Sequence, residues 1–378
     1  MNRTVTLVLV DPAGEPLGAL PPFAVEVPWW QEVSDVVAGA GIEVTVLRLL
    51  HGDRPDPPGG HVTYLATTRE RPSGLLPVDI DLGPHPLRAP WAEAHGASES
   101  LAWATGALDR IGLSGAVARQ WRTWNLSAIW RFDSAAGEPV AWLKQVPPFF
   151  AHEAAVLRLV EEVSPGLVPY VFAAGEPGRV LLSHVPGTDQ WDAGAARCAE
   201  VLAAFHPVQE HFAGRTGELR AAGVPEFSLA GVAEIARPYR DGMPGLGELI
   251  DGLPDRLAAV AECGLPDTLV HGDLHLGNIR HDDGDGGPVI VDWGDAVVGN
   301  PAHDVLRLTR DPGVIREWAA RWPGCDALRA VDLLRPVAEL RQAVVYTNFL
   351  ANIEPSEWPY HHADVAAALS RACAVDSR

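Results

Sequence analysis

Along the first seventy residues the apolar positions repeat mostly at the two-residue period of strands, and a helical spacing interrupts them once. "TVTLVLV" (Thr4–Val10) reads as a strand, "DPAGEP" as a turn and "WWQEVSDVVAG" (Trp29–Gly39) as a helix; "IEVTVLRLL" and "HVTYLATT" follow as further strands. The Pro- and Gly-rich runs "HGDRPDPPGG" and "RPSGLLPVDIDLGPHPLRAP" read as loops, the second closing a first domain of residues 1–95. A helix is expected over Trp91–Ile111. "NLSAIWRF" and "PVAWLKQV", joined by "DSAAGE", then form an antiparallel hairpin within a segment spanning 96–186. From 187 to 378 the pattern is mostly helical, except around a short stretch near residue 271.

With 378 residues, 47% of them hydrophobic, the chain can build two or three domains with cores of their own. No apolar run is long enough to span a membrane and the first residues lack a leader's apolar region, so a cytoplasmic protein is expected. Cys198, Cys263, Cys325 and Cys373 are far apart and form no CxxC pair, which argues for core thiols rather than zinc or disulfides. A formal charge of −20 excludes nucleic acid as an expected partner and leaves a cationic or neutral small molecule.

Of the 29 basic residues only Lys144 is lysine. Lysine offers a point charge on a slim stem where arginine offers a planar fork, so a narrow slot can demand it; chance is the other explanation. The strand period places Val140, Trp142, Lys144 and Val146 on one face. Downstream, Val156, Leu159, Val160 and Val163 keep helical spacing, and Glu153 falls on the same stripe. A carboxylate facing a core requires a cation, for which Lys144 is a candidate; a place in the first helical turn, favoured by the helix dipole, accounts for Glu153 equally well.

The densest chemistry lies in "HGDLHLGNIR" (His271–Arg280), followed by "HDDGDGGPVIVDWGD". The run "HDDGDGGP" would turn the chain back, placing Asp273 on a loop, Asn278 at a strand entry and Asp292 at the end of the returning strand. Asn278 and Asp292 suit a hard cation such as Mg²⁺, and Asp273 is left to orient a hydroxyl and accept its proton. A calcium loop is excluded, because the twelfth residue from Asp282 or Asp283 is Trp293 or Gly294, not Glu. Zinc at His271 and His275 lacks a third suitable ligand. Turn-forming Asp and Asn would explain any one of these residues, but not the set.

The segment from about residue 98 to 370 resembles the aminoglycoside phosphotransferases, small-molecule kinases related to protein kinases. "HGDLHLGN" is similar to their catalytic loop and "VDWGDAVVGNPAHDV" to their metal-binding segment. The resemblance implies an α+β, bilobal protein-kinase-like fold: a small antiparallel-sheet lobe over 96–186 and a helical lobe over 187–378, preceded by a small α/β domain. It implies Asp273 as catalytic base, Asn278 and Asp292 on Mg²⁺, and Lys144 paired with Glu153 on the α- and β-phosphates of ATP or GTP. Asp304, Gly299 and Pro301 match framework positions. Ser183 and Val185 lie in "LLSHVPG", the hinge that would present backbone groups to the base. The phosphate-covering segment "RTWNLSAIW" has no glycine, so N–H groups from Asn125 to Ala128, Ser127 among them, would cradle phosphate.

The expected reaction moves a γ-phosphoryl group to a hydroxyl of a small molecule such as an aminoglycoside, sugar or amino-alcohol. "NFLANIEPSEWPYHH" offers Glu354, Glu357, His361 and His362 to the acceptor pocket; the acids would suit a cationic acceptor, and a solvated face explains them equally well. A nucleotide-binding regulatory module without turnover is the alternative, favoured by the missing glycines. The order of elements in the first domain is similar to a Nudix-like fold, with only Glu32 and Asp35 of its acids present and Val36 and Phe23 at other acidic positions, so hydrolysis there would be lost.

Overall fold

The computed structural model describes residues 3–26, 29–53, 60–282 and 286–376. The chain divides into two compact units, of residues 1–151, 171–184 and 349–363, and of residues 152–170, 185–348 and 364–378. Residues 54–59 of the first expected loop and 283–285 of "HDDGDGGP" lie outside the described residues.

The first unit contains two five-stranded sheets. The first is made of β1 (Arg3–Val10), β2 (Pro16–Ala19), β3 (Phe23–Val25), β4 (Thr45–Gly52) and β5 (His61–Thr67), with α1 (Ser34–Gly39) between β3 and β4. Its order is β2-β1-β5-β4 with β3 also on β1, and β1 and β5 run parallel. Strand alternation divides its side chains: Val5, Leu7, Leu9 and Tyr64 pack with Trp30, Val33 and Val36, whereas Val8, Val10, Leu47 and Leu65 point the other way. Both faces being buried explains why "TVTLVLV" is nearly continuous in apolar residues.

The expected helix at Trp29 begins only at Ser34. The carbonyls of the preceding residues are already taken: Arg3 donates to Trp29 O and Glu32 O, and Tyr64 Oη–H to Trp30 O. Residues 31–33 instead make an isolated antiparallel bridge at Glu32, exchanging backbone hydrogen bonds with Trp121 and Thr123. Tertiary pairing therefore overrides the local helical period.

The second sheet follows α2 (Gly96–Arg110), which starts later than expected because Pro90–Ala92 forms a separate 3-10 turn. Its strands are β6 (Val117–Trp124), β7 (Ser127–Asp133), β8 (Pro139–Gln145), β9 (Val171–Gly175) and β10 (Arg179–Ser183), in the fully antiparallel order β6-β7-β8-β10-β9. The β7–β8 hairpin is the one read from the sequence. Ala128, Trp130 and Phe132 of β7 join Ala104, Ala107 and Leu108 of α2 and the first sheet's Val8, Val10, Leu47 and Leu65 in one buried cluster. Residues 1–95 and the second sheet thus share a core. Glu32, one of the acids noted in the first domain, pairs with Arg122 at 3.2 Å.

The second unit is largely helical. It comprises α3 (Glu153–Val163), β11 (Thr188–Asp189), α4 (Ala195–Phe212), α5 (Thr216–Ala221), α6 (Val232–Ala236), α7 (Leu246–Asp251), α8 (Leu253–Glu262), β12 (Thr268–Val270), β13 (Ile279–His281), β14 (Val289–Ile290), β15 (Val297–Gly299), α9 (Ala302–Leu308) and α10 (Pro312–Ala319). The long α11 (Ala327–Asn352) and the last helix α12 (His362–Asp376) complete the chain. Two small sheets, β11-β13-β14 and β12-β15, fix the stretch around residue 271. No helix among the described residues is long and apolar enough to cross a membrane. All four cysteines are free, Cys198 and Cys263 buried and Cys325 and Cys373 half-buried, so only two are core thiols.

Strand β4 is an edge of its sheet, and Gln120 of β6 covers it. Gln120 Oε1 accepts the Val46 N–H at 2.9 Å and its Nε2 donates to Val46 O at 2.6 Å, with the side chain buried. Gln120→Ala leaves both backbone groups without partners and is expected to destabilise the first unit by about 1–3 kcal/mol, read as an earlier denaturant midpoint in tryptophan fluorescence.

Candidate active site

Helix α9 anchors the site. Asn300 Oδ1 accepts the Ala302 N–H at 3.0 Å and Pro301 precedes the first turn, so "GNPAHD" initiates a helix at a fixed point. Asp304, in its first turn, is fully buried. Its Oδ2 accepts the His271 N–H at 3.0 Å and Gln209 Nε2–H at 3.1 Å, and its Oδ1 the Gly272 N–H at 3.1 Å. Burial pushes the Asp304 carboxyl up to about 7, opposed by these three donors.

Gly272 has a φ of +84°, and a Cβ there would overlap the Asp295 carbonyl oxygen. The glycine of "HGD" is therefore required twice, by conformation and by space. His271 is fixed as well: Nε2–H donates to Val291 O at 3.0 Å, and Nδ1 accepts the Asp273 N–H at 3.3 Å. Burial lowers its pKa to about 4, which keeps the ring neutral in the one tautomer that satisfies both bonds.

This framework presents Asp273. Arg307 Nε–H donates to Oδ1 at 2.8 Å, and His275 Nε2 lies 3.3 Å from Oδ2. His275 Nδ1 accepts the Gly277 N–H at 3.0 Å, so the ring proton sits on Nε2 and faces the carboxylate. Asn278 Nδ2 donates to Asp273 O at 3.0 Å and reaches Oδ2 at 3.4 Å. Burial would raise the Asp273 pKa, but the hydrogen bonds from His275 and Arg307 and the positive charge of Arg307 outweigh it and hold the carboxyl at about 2. Trp191, 63% exposed, stacks on the His275 ring at 4.7 Å.

Asp292 follows β14 and is the only non-glycine residue at positive φ, 65°, among those described. Aspartate is among the few side chains that tolerate this region, and such backbone strain collects at functional sites. The neighbouring Val291 N–H donates to Asn278 O at 2.9 Å, which ties Asp292 to Asn278 through one residue. With its amide nitrogen on Asp273, Asn278 has Oδ1 left for a cation. Asn278 Oδ1 and the Asp292 carboxylate are oxygen donors of the kind that could hold a hard cation such as Mg²⁺.

Asp273, Asn278 and Asp292 are thus brought together, whereas the remaining sequence candidates are distributed over both units. Glu153 opens α3 in the second unit, buried, and its Oε1 accepts the Trp293 N–H at 3.0 Å. Val185 also lies in that unit, just before Gly187, whose carbonyl accepts from Arg280. Lys144 lies in the first unit, buried on β8 between Ile129 of β7 and Val180 of β10. Ser183 ends β10 opposite Ala141, and Ser127 Oγ accepts the Trp124 Nε1–H at 2.7 Å.

The glycine-free turn before Ser127 is held rigidly: the Asn125 N–H donates to both carboxylate oxygens of Glu357 at 3.0 Å. That carboxyl is fully buried, and burial pushes its pKa up to about 8. Glu354 pairs with Arg88 at 3.2 Å. The two acids read as suited to a cationic acceptor are thus engaged within the first unit. Sequence reasoning missed Arg307, although it lies three residues after Asp304 and therefore on the same helical face.

An antiparallel sheet, a helical unit and an Asp-x4-Asn loop hung on a buried aspartate define a phosphotransferase of the kinase-like class. The model of the phosphotransferase enzyme family matches residues 114–334, more than half of the chain, and the chain belongs to that family. Among solved structures, the GDP complex of aminoglycoside 2'-phosphotransferase-IIIa is similar at 17% identity and TM-score 0.52, covering 73% of this chain and 99% of that one. A choline/ethanolamine kinase family protein from Mesorhizobium loti is similar at 17% identity and TM-score 0.51, covering 74% and 98%. At that identity both show the fold. No curated protein sequence matches the chain.

Removing Arg307 removes both a hydrogen bond and a positive charge from Asp273. A carboxyl held below its ordinary value of about 3.9 stabilises the folded loop above that pH and loses the contribution as pH falls through about 2. In Arg307→Gln the Asp273 carboxyl is expected to titrate higher, toward its ordinary value, in a carboxyl-carbon NMR titration. An unshifted titration would show that the ion pair does not set it.

Proposed function

We propose that this enzyme transfers the γ-phosphoryl group of ATP or GTP to a hydroxyl of a small molecule. The observation that carries the reading is the Asp273 carboxylate, fixed by Arg307 and His275 on a loop that Asp304 anchors. The acceptor oxygen bonds to the γ-phosphorus, the bond from that phosphorus to the β–γ bridging oxygen breaks, and the hydroxyl proton passes to Asp273. A carboxyl titrating at about 2 is a weak base. In a loose phosphoryl transition state the nucleophile needs little proton removal before bond formation, so orientation by Asp273 is its main contribution.

Asn278 and Asp292 would hold Mg²⁺, which supplies charge neutralisation on the transferred group. We assign Lys144 to the α- and β-phosphates, Glu153 to bracing Trp293 and supporting the phosphate-binding lysine, and Ser127, Ser183 and Val185 to holding the donor nucleotide. A second reading, nucleotide binding without turnover, is favoured by one observation: Glu357 takes the Asn125 N–H that a phosphate would otherwise receive.

Asp273→Asn keeps the shape and removes the proton acceptor. Nucleotide affinity by calorimetry is expected to survive while acceptor-dependent transfer falls by about 10²- to 10⁴-fold. A parent with negligible transfer, unchanged by the mutation, would instead establish the regulatory reading. Asp292→Asn tolerates the same backbone conformation and is expected to weaken nucleotide binding in the presence of Mg²⁺ but not in its absence; equal loss in both conditions would remove the metal assignment.

A further inference from the structure

Beside Gly272 and Arg307 lies a cavity of about 390 Å³, enclosed by α9, the chain following it, α11 and α12. Its lining departs from the rest of the molecule. In a chain carrying 49 acidic and 29 basic residues, the cavity is lined by Arg307, Arg310, Arg341 and Arg371, against one carboxylate, Glu339. Glu339 is divided between two of them: its Oε1 lies 3.2 Å from Arg310 Nη2 and its Oε2 2.8 Å from Arg371 Nε. Arg307 is on Asp273. Arg341 donates to the Asp295 carbonyl at 3.4 Å and lies over the Phe227 ring at 5.2 Å, with no carboxylate within ion-pair distance among the described residues.

Burial lowers the Arg341 pKa, opposed by the more distant charges of Asp295, Asp304 and Asp273. Asp364 lies within electrostatic reach of Arg371 and Tyr346 at the far side. Keeping several guanidinium groups around one cavity costs electrostatic repulsion, which an anion would relieve. The side chains of Arg310 and Arg371 are 61% and 49% exposed, and each retains N–H donors beyond the one on Glu339. Guanidinium forks match carboxylate and phosphate oxygens two at a time.

We propose that this cavity receives the acceptor and that the acceptor is anionic: a hydroxyl compound bearing a phosphate or carboxylate group, held by Arg310, Arg371 and Arg341 so that its hydroxyl meets Asp273. This rests on the phosphotransferase reading above and narrows its substrate class away from polycationic acceptors. Arg307 links the two, because it both lines the cavity and holds the reacting carboxylate.

The test separates the two readings. The full chain, saturated with ADP and Mg²⁺ to fill any nucleotide phosphate site, is titrated with inorganic phosphate and, separately, with glycerate and the aminoglycoside kanamycin. At least one of the two anions is expected to bind saturably. The double variant Arg310→Ala/Arg371→Ala is expected to weaken it by about tenfold or more, the loss expected of a charge-assisted hydrogen bond, with ADP affinity and melting temperature unchanged. Which anion binds decides between phosphate and carboxylate. Saturable binding of neither anion, equal binding by the double variant, or binding of kanamycin alone would overturn the proposal. If the anion binds as expected but Asp273→Asn changes no transfer with any hydroxylated anion, the phosphotransferase reading fails while the anion site stands.

Discussion

The site depends on one buried carboxylate. Asp304 is removed from solvent yet accepts hydrogen bonds from His271, Gly272 and Gln209. A buried carboxylate is tolerated only when its oxygens are satisfied, so the loop cannot leave without stranding it. The same three contacts orient Gly272 into the positive-φ turn that throws Asp273 outward. Asn278 then closes the loop on itself through Asp273 O.

The Asp273 carboxylate shows how charge is distributed around that anchor. Two carboxylates close together would raise one another's pKa, but Asp304 is shielded by backbone donors while Asp273 faces Arg307 and His275. Burial raises the Asp304 carboxyl to about 7 against the pull of its donors, whereas His275 and Arg307 overcome burial and hold Asp273 at about 2. The neutral His271 lies between them and adds no charge of its own. Environment, more than residue type, therefore differentiates the aspartates of this loop.

The candidate catalytic loop was legible in the sequence because its chemistry is local: Asp273, Asn278 and Asp292 fall within twenty residues, and turn-forming residues surround them. The β7–β8 hairpin was legible for the same reason, its alternation and turn lying within one short segment. Strands β9 and β10 were not, since five residues of mixed character acquire meaning only from pairing with β8. The helix read from Trp29 failed because Arg3 and Tyr64, distant in sequence, claim its carbonyls. Glu354 and Glu357 read as acids suited to a cationic acceptor, because no local pattern records that Arg88 and Asn125 are their partners.

Residues 349–363 belong to the first unit although they lie near the end of the chain. Tyr360 stacks on Trp30 at 4.4 Å, and Glu357 receives the N–H of Asn125. The core of the first unit therefore takes in a segment that follows nearly all of the helical unit in sequence. Domains of most chains are continuous in sequence and can fold in the order of their synthesis; the stack of Tyr360 on Trp30 is instead supplied from beyond the helical unit.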